Sequence, residues 1–196
     1  MNSATKHRST GPFLDRITLI AAAADLADRD GWNELTLSQV ALVVDRHVSS
    51  LYSHIDGLDA LRRDIALLSV TELADVVWEA TVGRSGTDAL TAIAEAERDF
   101  ARAHPGRMAA LRSHLGADDQ EFKEQAKRIA LPIRTVLASF GLNDRQVVVA
   151  HRVFSAAVRG LIEPGTPLDA TEDDAALHAT VDLFGTALKS GNWPLV

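Results

Sequence analysis

The chain has 196 residues, 46% of them hydrophobic, and a net charge of −7 from 20 basic and 27 acidic residues. That apolar content supports a buried core and excludes an intrinsically disordered chain, while the acidic balance argues against a non-specific nucleic-acid binder, whose affinity comes mostly from phosphate neutralisation. With no cysteine, disulfides, thiolate metal sites and a cysteine nucleophile are excluded, and no apolar run approaches the roughly 18 residues of a membrane span. A cytoplasmic protein with no membrane association is expected. The run ITLIAAAAD behind Lys6 and Arg8 has the outline of a signal peptide. Asp15 and Arg16 stand directly before it, however, and the apolar pattern continues through Leu26 and Ala27, as one helix would.

Residues 1–12 read as a flexible arm; its Lys6, His7 and Arg8 suit either a solvated tail or a basic strand lying along DNA. From residue 13 to 30, Ile17, Ile20, Ala24 and Ala27 recur at helical spacing, and Gly31 can close the helix in a left-handed conformation. Thr36 and Gln39 form a T-x-x-Q capping box opening a short helix whose inward face is Val40 and Val43. Asp45-Arg46-His47 breaks it, and VSSLYSHI follows as a third short helix stopped by Asp56-Gly57. A longer helix runs from Leu58 to about Trp78, with Leu61, Ile65, Leu68 and Leu73 apolar.

VGRSGTD, residues 82–88, marks a break before a helix with Leu90, Ile93 and Phe100, which ends at His104-Pro105-Gly106. Residues 119–140 place Phe122, Ala126, Ile129, Ile133, Val136 and Phe140 on one stripe, with Gly141 as the stop. Asn143 caps a helix bearing Val147, His151, Phe154, Val158 and Leu161 that ends at Pro164-Gly165. A last helix opens in a T-x-x-D box at Thr171 and Asp174 and carries Leu177, Val181, Phe184 and Leu188. No strand pattern or repeat is present. The expected fold is all-α: an arm (1–12), a three-helix helix-turn-helix head (13–57), a connecting helix (58–82) and a C-terminal helical domain for ligand binding and dimerisation (83–196).

A capped helix, a tight turn and a short helix with small polar side chains fit a helix-turn-helix, whose second helix enters the major groove. Ser49, Ser50 and Ser53 are small enough for close approach, and Tyr52, the only tyrosine, can donate to a phosphate with His54. The stretch LIAAAADLADRDGWNELTLSQVALVVDRHVSSLYSHIDGLDAL resembles the DNA-binding domain of TetR-family transcriptional regulators. The likeness lies in the Ala-rich first helix, Gly31-Trp32, the Leu-Thr start of the second helix, and Leu51-Tyr52-Ser53-His54, with Ile55 where the family has an aromatic. ARAHPGRMAAL (101–111) is similar to an Ala-x-x-His-Pro-Gly segment of one TetR branch, and Arg159-Gly160 stands where that branch often has His-Gly. The chain departs from the family at Asp45-Arg46-His47, usually Gly-Val-Ser or Gly-Val-Arg, and at Leu58, often a phosphate-contacting lysine. Asp45 can take the left-handed conformation better than most residues, and the stem of Arg46 can cover the core while its head reaches outward.

The resemblance implies a ligand-responsive regulator, a repressor, acting as a homodimer on a palindromic double-stranded DNA operator, without cofactor, metal or enzymatic activity. DNA contact falls to Arg16, Thr36, Arg46, His47, Val48, Ser49, Ser50, Tyr52, Ser53 and His54. An apolar or amphipathic small-molecule effector falls to Trp78, Phe100, His104, Met108, Phe122 and Phe154, and dimerisation to His151, Ala156, Arg159, Gly160, Val181, Phe184 and Leu188. Two alternatives stay open. A ligand-binding protein of the same fold that has lost DNA recognition is favoured by Leu58 and by residues 1–65, whose seven basic and nine acidic residues give a net of −2. A helical enzyme would use Glu97 or Asp99 near His104. His104, His114, His151 and His178 show no metal-ligand spacing, and no Gly-x-Ser-x-Gly elbow supports a hydrolase.

Overall fold

A computed structural model describes residues 14–163 and 170–190. The arm over residues 1–12 and the Pro164-Gly165 stop lie outside the described residues. Within them every regular element is a helix, and none is long and apolar enough to cross a membrane.

Helix α1 (Arg16–Asp30) begins where the Asp15 carboxylate accepts the Thr18 N–H at 2.7 Å, and it closes at Gly31, whose φ is 102°. Its buried row is Leu19, Ala23, Ala24, Leu26 and Ala27. Ile17, expected inside, is 78% exposed. Arg16 explains the choice: it shares a face with Leu19 and Ala23, and its Nη2 donates to both oxygens of Asp64 at 2.8 Å, which turns that face inward.

Helix α2 (Leu37–Val43) has the expected capping box: Gln39 N–H donates to Thr36 Oγ1 at 3.3 Å and Thr36 N–H to Gln39 Oε1 at 3.0 Å. Val40 is buried, but Val43 is exposed; Ala41 takes its expected place in the core. The turn follows, with Asp45 at φ 50°, the only positive φ outside glycine among the described residues. Helix α3 is regular over only Val48–Leu51, then tightens through i→i+3 bonds from Ser53 to Ser50 and His54 to Leu51. Leu51 and Ile55 are buried and anchor the turn to the head.

Helix α4 (Leu58–Thr81), roughly 36 Å long at 1.5 Å per residue, packs on α1 and then on α5 (Gly86–Ala103), α6 (Pro105–His114) and α7 (Gln120–Ala138). Apolar periodicity specifies no element over residues 105–118; α6 fills most of that span because Pro105 at the first helical position suits a start. Helix α8 (Asp144–Ile162) has an Asn143–Gln146 capping box. Helix α9 (Ala170–Lys189) is already running at Ala170, so Thr171 lies inside the helix. Asp174 turns outward to accept Arg98 and Arg102 at 3.0 and 3.1 Å, tying α9 to α5. One apolar core runs from Leu19 to Leu188.

Candidate nucleic-acid interface and interior cavity

The end of α2, the turn and α3 form a shallow concavity lined by Ala41, Leu42, Asp45, Arg46, His47 and Ser50. Beside it stand exposed Ser49, Tyr52 and Ser53, while Val48 and His54 are half-buried. Ser50 and Ser53 spend their hydroxyl protons on backbone carbonyls of His47 and Ser50, at 2.7 and 2.6 Å. Their oxygens remain able only to accept, and phosphate has no proton to offer them. Tyr52, 58% exposed, sits immediately after fully buried Leu51. Arg46 turns its Nη1 back to the Asp45 carbonyl at 2.8 Å, which stiffens the left-handed turn. Thr36 stands at the N-terminus of α2 with its hydroxyl in the capping box. Arg16 is committed to Asp64, leaving the rest of its guanidinium outward. Trp32 of the Gly31-Trp32 pair lies under the Arg62 guanidinium at 5.5 Å from the ring centroid.

Two polar clusters help fasten the head and α4 to the C-terminal helices. At the first, the Gly106 backbone lies so close to α1 that a Cβ there would come 2.2 Å from the Ala27 carbonyl carbon. Next to it, buried Arg107 donates through its backbone N–H to Asp28 Oδ1 at 2.8 Å, and its guanidinium meets Asp28, Asp25 and Glu72. His104 Nδ1 lies 3.0 Å from Asp28 Oδ2. The His104-Pro105-Gly106 segment therefore supplies three things to the junction, namely a partner for Asp28, a helix start and a residue without a side chain against α1. At the second, Arg63 of α4 grips Asp119 at 2.6 and 3.0 Å and Glu121 at 2.9 Å, and His114 Nε2 lies 3.1 Å from Asp119. The Arg63 guanidinium holds the Asp119 carboxyl well below the usual carboxylate range.

A cavity of about 180 Å³ opens between α4, α5, α6, α7 and α8. Its walls include Val70, Leu73, Met108, Phe122 and Ile129, and its polar groups are Glu97, Arg112, His151, Ser155 and Arg159. A second cavity of about 330 Å³ shares Met108, Arg112 and Ile162 with it. Glu97 is partly exposed as a residue, yet desolvation among the surrounding helices pushes its carboxyl up to about 7, with Arg159 pulling the other way. Desolvation, then the Arg134 and Arg159 charges, push the His151 imidazole below its ordinary value.

Of the residues expected to meet an effector, only Met108 and Phe122 line the smaller cavity. Trp78, 56% exposed, faces a separate groove with Asp75, Arg128 and Leu131. Phe100 stacks at 5.0 Å on His104, and His104 belongs to the Asp28 fastening. Asp99 pairs with Arg98, so no carboxylate–histidine dyad forms between Glu97 or Asp99 and His104. Phe154 packs on Phe184 at 5.5 Å inside the core.

Sequence comparison decides the family. A family model described as "Tetracyclin repressor-like, C-terminal domain" matches residues 90–182. An uncharacterized HTH-type transcriptional regulator of Mycobacterium tuberculosis is 33% identical over 165 residues, 83% of this chain and 76% of that protein. The chain belongs to the TetR family of transcriptional regulators. Solved structures share the fold. A protein of unknown function from Rhodococcus sp. RHA1 superposes with a TM-score of 0.79 at 20% identity, covering 94% of this chain and 100% of that one. A TetR variant from Acinetobacter baumannii in complex with minocycline gives 0.68 at 20% identity, covering 93% and 100%.

In this TetR-family chain the residues expected at the dimer contact divide. Val181, Phe184 and Leu188 are buried within the protomer, and His151 and Arg159 line the cavity. Ala156 and Gly160 are exposed, and a Cβ on Gly160 would meet nothing within 4 Å. Sequence pattern did not point to Arg112, Ser155 or the Arg107 cluster. One signal was available: His151, Ser155 and Arg159 form a polar i, i+4, i+8 row on a helix whose neighbouring rows are apolar. Among the described residues no three His, Asp or Glu side chains gather as a metal site.

Proposed function

We propose that the chain acts as a homodimeric repressor, each head laying Val48–His54 into a major groove of a palindromic operator, and that a small molecule in the C-terminal cavity releases it. The observation that carries the DNA half is the division of labour at Leu51 and Tyr52. A fully buried leucine holds the short helix, and its neighbour presents a phenol whose hydroxyl no described residue engages. Such a hydroxyl can donate to a phosphate and set the register, with Ser49 beside it facing the base edges. His47 and Arg46 flank that face, and Arg46 adds a cation to an otherwise acidic head.

Pairing falls to the outer faces of α8 and α9, where Val148, Val153, Ala156, Gly160 and Leu183 are exposed. Small residues there allow helices to approach closely, as in a four-helix interface. Release requires that the ligand favour one head spacing over the other, and a hundredfold preference corresponds to about 2.7 kcal/mol. The fastenings at Asp28–Arg107 and Arg63–Asp119 offer the mechanical route, since they join α1 and α4 to the helices around the cavity.

Selection of bound duplexes from a random pool by the purified chain tests this reading. An enriched palindrome whose affinity falls with salt is expected. No enrichment at low salt, from folded dimeric protein, would sink it.

A further inference from the structure

The polar end of the cavity has an unusual charge inventory. Arg112 from α6 and Arg159 from α8 both line it, and neither guanidinium is hydrogen-bonded or ion-paired to a described residue. By contrast, Arg98 and Arg102 on the neighbouring wall are already committed to Asp99, Asp173 and Asp174. Ser155 offers a hydroxyl on the same face of α8 as Arg159. The lining contributed by α4 and α7, which includes Val70, Leu73, Phe122 and Ile129, carries no polar side chain.

We propose that the cavity takes an amphipathic carboxylate, its anionic head between Arg112, Arg159 and Ser155 and its apolar body against α4 and α7. The inference rests on the reading of this cavity as the effector site. Two guanidiniums remain charged at any physiological pH, and a planar fork suits a carboxylate. A cationic ligand would have to lie against both of them.

Glu97 is the group that could reverse the choice, because it is the one acidic side chain lining the smaller cavity. It shares the cavity with Arg112 from α6 and with His151 and Arg159 from α8, and Arg159 is the charge that acts on it; the α4 and α7 side chains lining the cavity are apolar, while Arg134 of α7 acts on His151. Behind it, Arg98 on its own helix and Asp173 and Asp174 on α9 are tied in ion pairs. With its carboxyl pushed up to about 7, Glu97 is largely neutral on the acid side and ionised on the alkaline side. An anion beside it favours the neutral form. Carboxylate affinity therefore falls as pH rises through 7, with His151 adding to the same slope because an anion favours its protonation too.

The experiment is calorimetric titration of the full chain with straight-chain carboxylates of about six to ten carbons, a size suited to a cavity of about 180 Å³. The matching primary alcohols and amines are run beside them, at about pH 6 and about pH 8, on either side of the Glu97 transition. Expected is a preference for the carboxylate of about tenfold or more over the alcohol and the amine. Binding should be tighter at the lower pH, and Glu97→Gln should strengthen it at the higher. Arg112→Met and Arg159→Met should each weaken carboxylate binding by about tenfold and leave alcohol binding unchanged. The wild-type comparison needs no variant to fold. An amine preference lost in Glu97→Gln, or no carboxylate preference at all (including no binding by any member), overturns the proposal. Operator binding by the same preparation separates the two readings. Protein that selects a palindrome but ignores carboxylates rejects the ligand class alone, whereas carboxylate binding without DNA binding rejects the regulator reading alone.

Discussion

The head and the C-terminal half solve the same problem, packing helices around one core, by different means. The helix ends and the turn of the head are specified by neighbours in sequence: Asp15 caps Thr18, Thr36 and Gln39 cap each other, Gly31 and Asp45 take positive φ. The C-terminal half depends on partners far apart in the chain, such as Arg63 with Asp119, Arg98 with Asp174, and His178 with Glu95. A local signal survives changes elsewhere, so the reading face can keep one shape while the cavity varies. Long-range ion pairs tie α6 to α1 and α4, and α7 and its cap to α4. The contrast fits a protein that reads one kind of object at one end and responds to another at the other.

The sharpest way to break this contrast is at the junction. Arg107→Met leaves Asp28, Asp25 and Glu72 facing one another without their cation, two of the four groups being well buried. Loss of about 3–5 kcal/mol of stability is expected, measured by urea denaturation. A change near zero would mean that the cluster is solvated and does not couple the halves. Leu51→Ala removes the fully buried anchor of the recognition turn and should cost about 2–5 kcal/mol, read as a lowered unfolding midpoint. A variant retaining wild-type stability would show that α3 is held by its turn alone.

Smaller effects sharpen the comparison. Glu97 prefers its proton in the folded state, so its contribution is present in acid and is lost as pH climbs from about 4.5 to about 7, with no further change above. Glu97→Gln, free of that loss, should exceed the wild type in stability at alkaline pH by up to about 3 kcal/mol, and match it in acid. Parallel melting curves across that window decide the point; equal curves would place the carboxyl in water. Tyr52→Phe should leave stability unchanged, since the ring is exposed, and weaken operator binding by about 0.5–1.5 kcal/mol. A stability loss with intact DNA affinity would make the tyrosine a packing residue.

Legibility in the sequence followed the same division. The caps at Thr36 and Asn143 stand where the residues announced them, because a cap is a contact over three residues. Facing was less secure. Ile17 and Val43 have helical spacing with core residues, yet both point outward; on α1 the distant partner Asp64, by holding Arg16, settles which row packs. Asp174, expected as the partner of Thr171, accepts from Arg98 and Arg102 of another helix. Gly106 was visible only as part of a family-like segment, and its physical cause lies in the Ala27 backbone 79 positions earlier.

The amino-acid sequence by itself determined the all-helical character and the helix-turn-helix with its Asp45 turn, because periodicity, caps and positive-φ positions act within one turn of chain. Tertiary structure alone decided that Phe100, His104 and Phe154 serve core and junction, that Arg107 is buried among three carboxylates, and that Glu97, Arg112 and Arg159 meet in one cavity. The side chains of α5, α6 and α8 acquire a common environment only when those helices pack around α4 and α7, and no local spacing encodes which of their polar residues will face each other.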